Sequence, residues 1–181
     1  MAWTAPRDWV VGEIVTAAVM NAFVRDNQLF LYKRPIWIAS RPPDYDDGAI
    51  WFNWPAVELM AAVNTFAYHS WYCDNGPVTF AATYWLWGTN VAALDDIRME
   101  GQSTYAAEGE AYNTHGSNWA ANTITSEGAT IVQRENMGLV PTPAFMSTGD
   151  YYGLHVERDG PHVADDLAGS IYSLGVLLVP A

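Results

Sequence analysis

The 181-residue sequence holds one cysteine, Cys73. An intrachain disulfide is therefore excluded, and so is a cysteine-rich zinc site. Cations are scarce as well: eight Lys and Arg stand against twenty Asp and Glu, a formal net charge of −12. Phosphate recognition needs clustered Lys and Arg, so no nucleic-acid partner is expected. No apolar run approaches the ~20 residues that a bilayer-spanning helix needs, and membrane insertion is not expected. The opening "MAWTAPRDWVVGEI" lacks the basic start and unbroken apolar stretch of a secretory leader, which points to synthesis in a cytoplasm. A phosphate loop, a G-x-S-x-G elbow, an H-E-x-x-H pair and paired cysteines are also missing. No catalytic residue, cofactor or metal is assigned on these grounds, and the expected role is non-enzymatic.

Aromatic residues, by contrast, are plentiful: nine Trp, ten Tyr and six Phe. Half the chain is hydrophobic, which argues against disorder. The length suits one domain, or one domain with an appendage. Aromatics favour strands, and they also anchor interfaces and sugar-binding surfaces. Charge is unevenly spread. Residues 1–41 carry five cations against three acids, whereas residues 42–181 carry Arg98, Arg134 and Arg158 against seventeen acids. A mildly basic arm thus precedes a strongly acidic body.

"TAAVMNAFVRDNQLFLYKRP" (16–35) reads as one amphipathic helix. Thr16 is a suitable N-cap, and Pro35 stops the run. Val19, Phe23, Val24, Phe30 and Leu31 fall on an apolar stripe that must be covered. Arg25, Lys33 and Arg34 add positive charge. These eight residues are the candidate attachment and oligomerisation set, and residues 1–35 are read as a helical arm. "RPPDYDDG" (41–48) is a turn-rich linker, and its Asp44, Asp46 and Asp47 leave cation binding open.

From residue 36 onward the period changes to two. Val78, Phe80, Ala82, Tyr84 and Leu86 alternate with Thr79, Ala81, Thr83, Trp85 and Trp87, and the first set is expected to face the core. Tyr152, Leu154 and Val156 share one face, as do Tyr172, Leu174, Val176 and Leu178. Shorter strands are predicted at 36–40, 49–54, 65–72, 103–107 and 129–134. "AEGEAYNTHGSNWAANTITSEG" (107–128) reads as an exposed excursion with little structure. The expected fold is mainly β: a jelly-roll or β-sandwich of about eight strands over residues 36–181, preceded by the amphipathic helix.

Side chains with chemical potential are scattered. His155 and His162 lie near Asp159, Asp165 and Asp166, a pattern that suits a strand–loop–strand turn with solvated charges. His69 and His115 stand apart. Glu108 and Glu110 flank a glycine, but two carboxylates support glycoside hydrolysis only at a set separation. Trp85 and Trp87 fall on the less apolar face of their strand, where they are candidate glycan or subunit contacts.

Two stretches resemble tailed-bacteriophage virion proteins. One is the opening from Trp3 to Asn27, with its W…GE-VTA…N…RDN pattern. The other is the closing "GDYYGLHVERDGPHVADDLAGSIYSLGVLLVPA" (149–181), similar to the end of a phage jelly-roll domain; "VTFAATYWLW" (78–87) resembles one of its central strands. The resemblance covers the two ends and one middle strand, and carries no shared catalytic residues. It implies a non-enzymatic virion structural protein, a capsid decoration or small tail appendage. It also implies a homo-oligomer, a trimer first, that contacts other capsid or tail proteins on the virion. A carbohydrate- or receptor-binding module of a tail tip or fibre, with a host-surface glycan as partner, is the alternative.

Overall fold

The computed structural model describes residues 16–21, 24, 35–40, 48–51, 54–74, 78–92, 94–111, 114–138 and 146–181. The chain divides into two compact units, Met1–Pro35 and Ile36–Ala181. In the first, the described residues hold one helical turn, α1 (Ala17–Met20), closed by the Met20 amide donating to the Thr16 carbonyl at 3.0 Å. Met20 and Val24 are exposed. Phe23, Arg25, Phe30, Leu31, Lys33 and Arg34 lie outside the described residues, as does the side chain of Val19. Asp44, Asp46 and Asp47 lie outside them too.

The second unit is an antiparallel β-sandwich. Its described strands are β1 (Ile36–Ala39), β2 (Gly48–Trp51), β3 (Trp54–Leu59), β4 (Asn64–Tyr72), β5 (Phe80–Thr89), β6 (Asp96–Ala106), β7 (His115–Thr125), β8 (Gln133–Asn136), β9 (Tyr151–Asp159) and β10 (Ile171–Pro180). One sheet runs β2–β3–β10–β5–β8, with β1 also on β10; the other runs β4–β9–β6–β7. Strand β10 is the spine of the first sheet. β5 follows it along one edge, while β3 takes Ile171–Ser173 and β1 takes Gly175–Leu178 on the other. Both sheets feed one core. Trp85, Trp87, Ile171, Val176 and Leu178 come from the first sheet, and Ala67, Ile97, Met99, Tyr152, Leu154 and Val156 from the second. Burial of such side chains is what offsets the entropy of ordering the chain.

Two β-bulges decide which residues enter that core. In β5, Phe80 pairs with Pro180 but Ala82 pairs with Val179, so Ala81 is the extra residue. One extra residue flips every side chain beyond it. Phe80 is therefore buried, and so are Thr83, Trp85 and Trp87, while Tyr84 and Leu86 face outward. The expected contact role of Trp85 and Trp87 is thus corrected: they are 0% and 2% exposed and stack on each other at 5.5 Å. The Trp85 indole N–H donates to Ser173 Oγ at 2.8 Å, so its polar atom is satisfied inside. Outside, the Arg134 guanidinium sits 4.4 Å over the Tyr84 ring.

In β10 the extra residue is Leu174, between the pairs Ser173–Trp87 and Gly175–Leu86. Ile171, Ser173, Val176 and Leu178 turn inward. Leu174 and Tyr172 join Ala56 and Leu86 in a small cluster on the other side of the sheet. The single face expected for Tyr172, Leu174, Val176 and Leu178 is therefore split.

Residues 107–128, expected to be irregular, contain the eleven-residue β7. Its Ala, Asn, Gly and Ser have little intrinsic strand preference. It is a strand because β6 pairs with it from Asp96–Thr125 to Tyr105–His115.

Candidate functional site

The outward face of the four-stranded sheet brings together side chains from distant parts of the chain. Cross-strand register sets them in rows. Tyr72 pairs with Tyr151, and Ala106 follows on the far side of β9. In the next row Ser70, Gly153, Thr104 and Gly116 cross all four strands. Then come Tyr68, His155, Gln102 and Asn118, and after them Phe66, Glu157 and Glu100. Alternation places all of these on one face, because their neighbours Ala67, His69, Ser103, Leu154 and Val156 are buried in the sandwich.

Aromatic rings dominate the β4–β9 half. Tyr72 is 47% exposed and Tyr151 57%, with ring centroids 4.9 Å apart. Tyr68 is exposed and Phe66 half-buried, and both rings pack against His155 at 6.0 and 5.9 Å. Isolated surface aromatics are ordinary, but several on one sheet face are a candidate contact surface.

The β6–β7 half is polar and recessed. Between Met99 and Gly101 the register with β7 shifts, so Ala120 and Ala121 together oppose Glu100. This bulge opens a cavity of about 300 Å³ lined by Glu100, Gln102, Asn118, Trp119 and His155. Its alanines are too short to fill it. Partial burial holds the His155 imidazole below its ordinary pKa, while nearby Glu100 pulls the other way. The ring is therefore mostly neutral at pH 7, able both to donate and to accept a hydrogen bond.

Glu100 and Glu157 stand directly opposite each other. Burial raises the Glu157 pKa first, and repulsion by Glu100 together with the hydrogen bond they share raises it further; the amide of Asn64, donating to Glu157 at 2.9 Å, offsets part of this. Like charges facing across strands are destabilising unless a proton is shared.

The remaining ionisable groups singled out in the sequence serve structure. Arg158 and Asp165 form a buried ion pair, with side chains 0% and 1% exposed. Arg158 uses all five N–H donors: two go to Asp165 at 2.9 and 2.6 Å, and three to the carbonyls of Leu59, Leu167 and Gly169. Asp165, expected to be solvated, instead pins the loop between β9 and β10 onto β9 through Arg158 and onto β6 by accepting from the Arg98 amide at 3.1 Å. Asp166 accepts from the Asp96 amide at 2.6 Å. His162 accepts from the Ala164 amide within the same loop. His115 stacks on Tyr105 at 4.2 Å and lies 3.5 Å from Glu110. Among the described residues no group of three or more His, Cys, Asp or Glu is arranged to hold a metal ion, and no helix is long and apolar enough to cross a membrane.

A second cavity, about 260 Å³, lies between β7 and β8 and is lined by Trp87, Asn122, Thr123, Gln133 and Glu135. Trp87 and Gln133 are almost wholly buried there, so little of an aromatic face is offered. The first surface is the better candidate.

None of Tyr68, Tyr72, Tyr151, Gln102, Asn118 and Glu100 stood out in the sequence. The available signal was "TFAYHSWY", where Phe66, Tyr68 and Tyr72 alternate with Ala67, His69 and Trp71. Both faces of that strand are rich in large residues, so one had to lie outside the core or be covered.

No protein-family model matches the chain, and a comparison with curated proteins finds no match either. Among solved structures, a carbohydrate-binding module, TmCBM61 in complex with β-1,4-galactotriose, aligns with a TM-score of 0.37 and 8% identity, over 82% of this chain and 88% of that one.

Proposed function

We propose that the chain is a non-catalytic glycan-binding β-sandwich carried on the surface of a tailed-phage virion, as a receptor-binding or decoration subunit. The observation that carries the binding role is the outward face of β4–β9–β6–β7. Exposed Tyr68, Tyr72 and Tyr151 offer flat apolar rings, and Gln102, Asn118 and neutral His155 offer donors and acceptors beside them. Sugars present both features: C–H faces that stack on aromatic rings and hydroxyls that need directed partners. The virion setting draws its support from the resemblance of residues 3–27 and 149–181 to phage virion proteins.

The carboxyl arrangement on this face supports the non-catalytic reading. Retaining glycosidases hold their two carboxyls about 5 Å apart and inverting ones farther. Glu100 and Glu157 share a hydrogen bond instead. We read the strand order as a jelly roll, since every consecutive pair from β3 to β10 except β6–β7 changes sheets. Residues 1–35 then serve as the attachment arm of a homotrimer, with Val19, Phe23, Val24, Phe30 and Leu31 as its apolar contacts.

The test is a glycan array probed with the full chain and with a Tyr68→Ala/Tyr72→Ala/Tyr151→Ala variant. Retention of the wild type on a defined set of glycans is expected, with loss in a variant of unchanged melting temperature. An array that retains neither protein, or both equally, defeats the reading. Counting copies of the chain in purified virions separates decoration, with hundreds of copies, from a tail appendage with few.

A further inference from the structure

We infer that the ligand is an uncharged, extended oligosaccharide rather than a single or terminal sugar, bound diagonally across the sheet from the Tyr72–Tyr151 pair to the cavity at Gln102 and Asn118. This rests on the glycan-binding reading and specifies its ligand.

The two ends of the surface differ in what they can grip. Tyr72 and Tyr151 present exposed rings, and no carboxylate, histidine or cation stands in their row, which continues to Ala106. The cavity presents Glu100, Gln102, Asn118 and His155. Tyr151 and His155 are four residues apart on β9, which separates the ends by about 13 Å along the strand. Gln102 and Asn118 lie one and two strands further across, adding about 5 Å for each. That span exceeds one pyranose ring, so a single sugar occupies one end or the other, and only a chain occupies both.

The path between the ends is kept low. It crosses Gly153, Thr104 and Gly116. Glycine weakens a strand interior, so its presence needs a reason. Elsewhere in this sandwich the reason is internal. A Cβ on Gly175 would meet the Trp37 ring at 2.5 Å, one on Gly101 would meet the His155 carbonyl at 2.8 Å, and one on Gly160 would run into the Ala61 carbonyl. At Gly153 and Gly116 no such neighbour exists. The nearest atoms to a Cβ are Thr104 Oγ1 at 3.6 Å and the Ser103 carbonyl at 3.5 Å, ordinary contact distances, and neither glycine has a left-handed backbone. Protein packing therefore does not demand glycine at either place. A molecule lying over the sheet does, because any larger side chain would stand in its way.

Charge sets the ligand class. Glu100 lines the cavity, Glu157 faces it across one strand, and residues 42–181 carry seventeen acids against three cations. Arg98 stands on the same face of β6, one row beyond Glu100 and away from the tyrosines; it is half-buried and donates to Thr123 Oγ1 at 3.4 Å. Arg134 lies in the other sheet and rests on Tyr84. A uronate or sialate on the path from the tyrosines would meet the carboxyls of Glu100 and Glu157 before it reached Arg98, whose guanidinium is already engaged by Thr123. Neutral hydroxyls suit Gln102, Asn118 and a His155 ring that both donates and accepts.

The test titrates the full-length protein by calorimetry with neutral linear homopolymers of glucose, mannose and galactose, each from the monosaccharide upward, and with polygalacturonate. Affinity for at least one neutral series should rise about tenfold or more between the single sugar and a chain long enough to reach both ends. Gly153→Phe, which fills the path, should bring the long chain down to the affinity of the short one. Gly153→Ala, for which there is room, controls for folding through its melting temperature. If the monosaccharide binds as tightly as its oligomers, or if Gly153→Phe binds the long chain normally, the inference falls while the glycan-binding reading stands. Tighter binding of polygalacturonate than of any neutral chain overturns the charge assignment. No binding to any sugar here, with none on the array, overturns both.

Discussion

Trp85 and Tyr151 are large aromatics on strands of the same sandwich, yet the first is fully buried and the second is 57% exposed. Ionisable pairs divide the same way. Arg158–Asp165 lies inside with every Arg donor used, whereas Glu100 and Glu157 bring like charge face to face across two strands of the outer surface. Inside, each polar atom of these residues has a partner supplied by the chain. On the outer face of β4–β9–β6–β7 the partners are incomplete. A side chain whose contacts are all internal contributes to stability. One whose contacts are left open contributes little, and the proposed ligand accounts for why it is there.

Breaking the inner ion pair should have the largest effect. Arg158→Met leaves Asp165 buried without its cation and three carbonyls without donors, and should cost about 3–5 kcal/mol in denaturant unfolding. Adding Asp165→Leu should restore part of that loss, since two apolar groups need no partner. If Arg158→Met alone is neutral, the pair is not closed to water and the contrast with the outer face disappears.

Trp85→Ala comes close behind, at about 3–5 kcal/mol for a large core aromatic. Tyr151→Ala on the outer face should stay within about 0.5 kcal/mol, as surface changes usually do. The same two variants should reverse order in glycan affinity, with Tyr151→Ala the weaker binder. Equal stability losses would show that Tyr151 is covered and is not a platform.

Much of the sandwich was legible in the sequence. Period-two alternation located β1, β4, β9 and β10 to within a residue or two, and the inward set Tyr152, Leu154 and Val156 followed from pattern alone. Trp85 and Trp87 were misassigned because Ala81 is a bulge, and a bulge reverses parity without any composition signal. Leu174 did the same in β10. β7 was missed because its residues carry no strand preference and its register comes from β6, a tertiary cause. The outer surface was illegible for a related reason. Tyr68 and Tyr72 come from β4, Tyr151 and His155 from β9, Gln102 from β6 and Asn118 from β7, and only the strand order β4–β9–β6–β7 makes them neighbours. Arg158 lies near the end of β9 and Asp165 follows seven residues later in a loop that reads as solvated, and nothing local reveals that this loop folds back onto the start of β6.

His69 tests the inner side through pH. It is 1% exposed, and neither ring nitrogen reaches hydrogen-bond geometry among the described residues, although the β1 backbone at Ile38 and Ala39 is close enough to favour the cation slightly. Burial is the larger influence and lowers its pKa from 6.5 to about 4. The folded chain thus keeps this ring neutral while the unfolded chain takes up a proton below pH 6.5. Stability is full above 6.5 and falls as pH drops toward 4, by about 3 kcal/mol for this group. Unfolding at pH 7 and pH 4 should show His69→Leu losing less stability than the wild type on acidification. Equal losses would mean that His69 is not the buried neutral ring the structure shows.

The smallest expected effect belongs to the outer carboxyl pair. Glu157 has its pKa raised from 4.5, by burial first and by Glu100 second. For a carboxyl raised in the folded state, the proton is held more tightly folded than unfolded. The pair therefore costs nothing below the unfolded pKa, and stability falls as pH rises past it until the folded pKa is exceeded. The cost is therefore larger at neutral pH than in acid. Glu100→Gln removes the like charge but leaves the burial, so Glu157 should ionise at lower pH and the chain should gain stability at pH 7, within about 0.5 kcal/mol because the pair borders solvent. That gain should vanish below pH 4.5, where both proteins hold a neutral Glu157. The amide keeps a donor and an acceptor at the cavity, so affinity for a neutral oligosaccharide should persist while rejection of polygalacturonate relaxes. A gain that persists in acid would trace to packing instead of charge. Loss of neutral-sugar binding would show that the Glu100 carboxylate itself grips the ligand, and that the outer face holds a charged contact of its own.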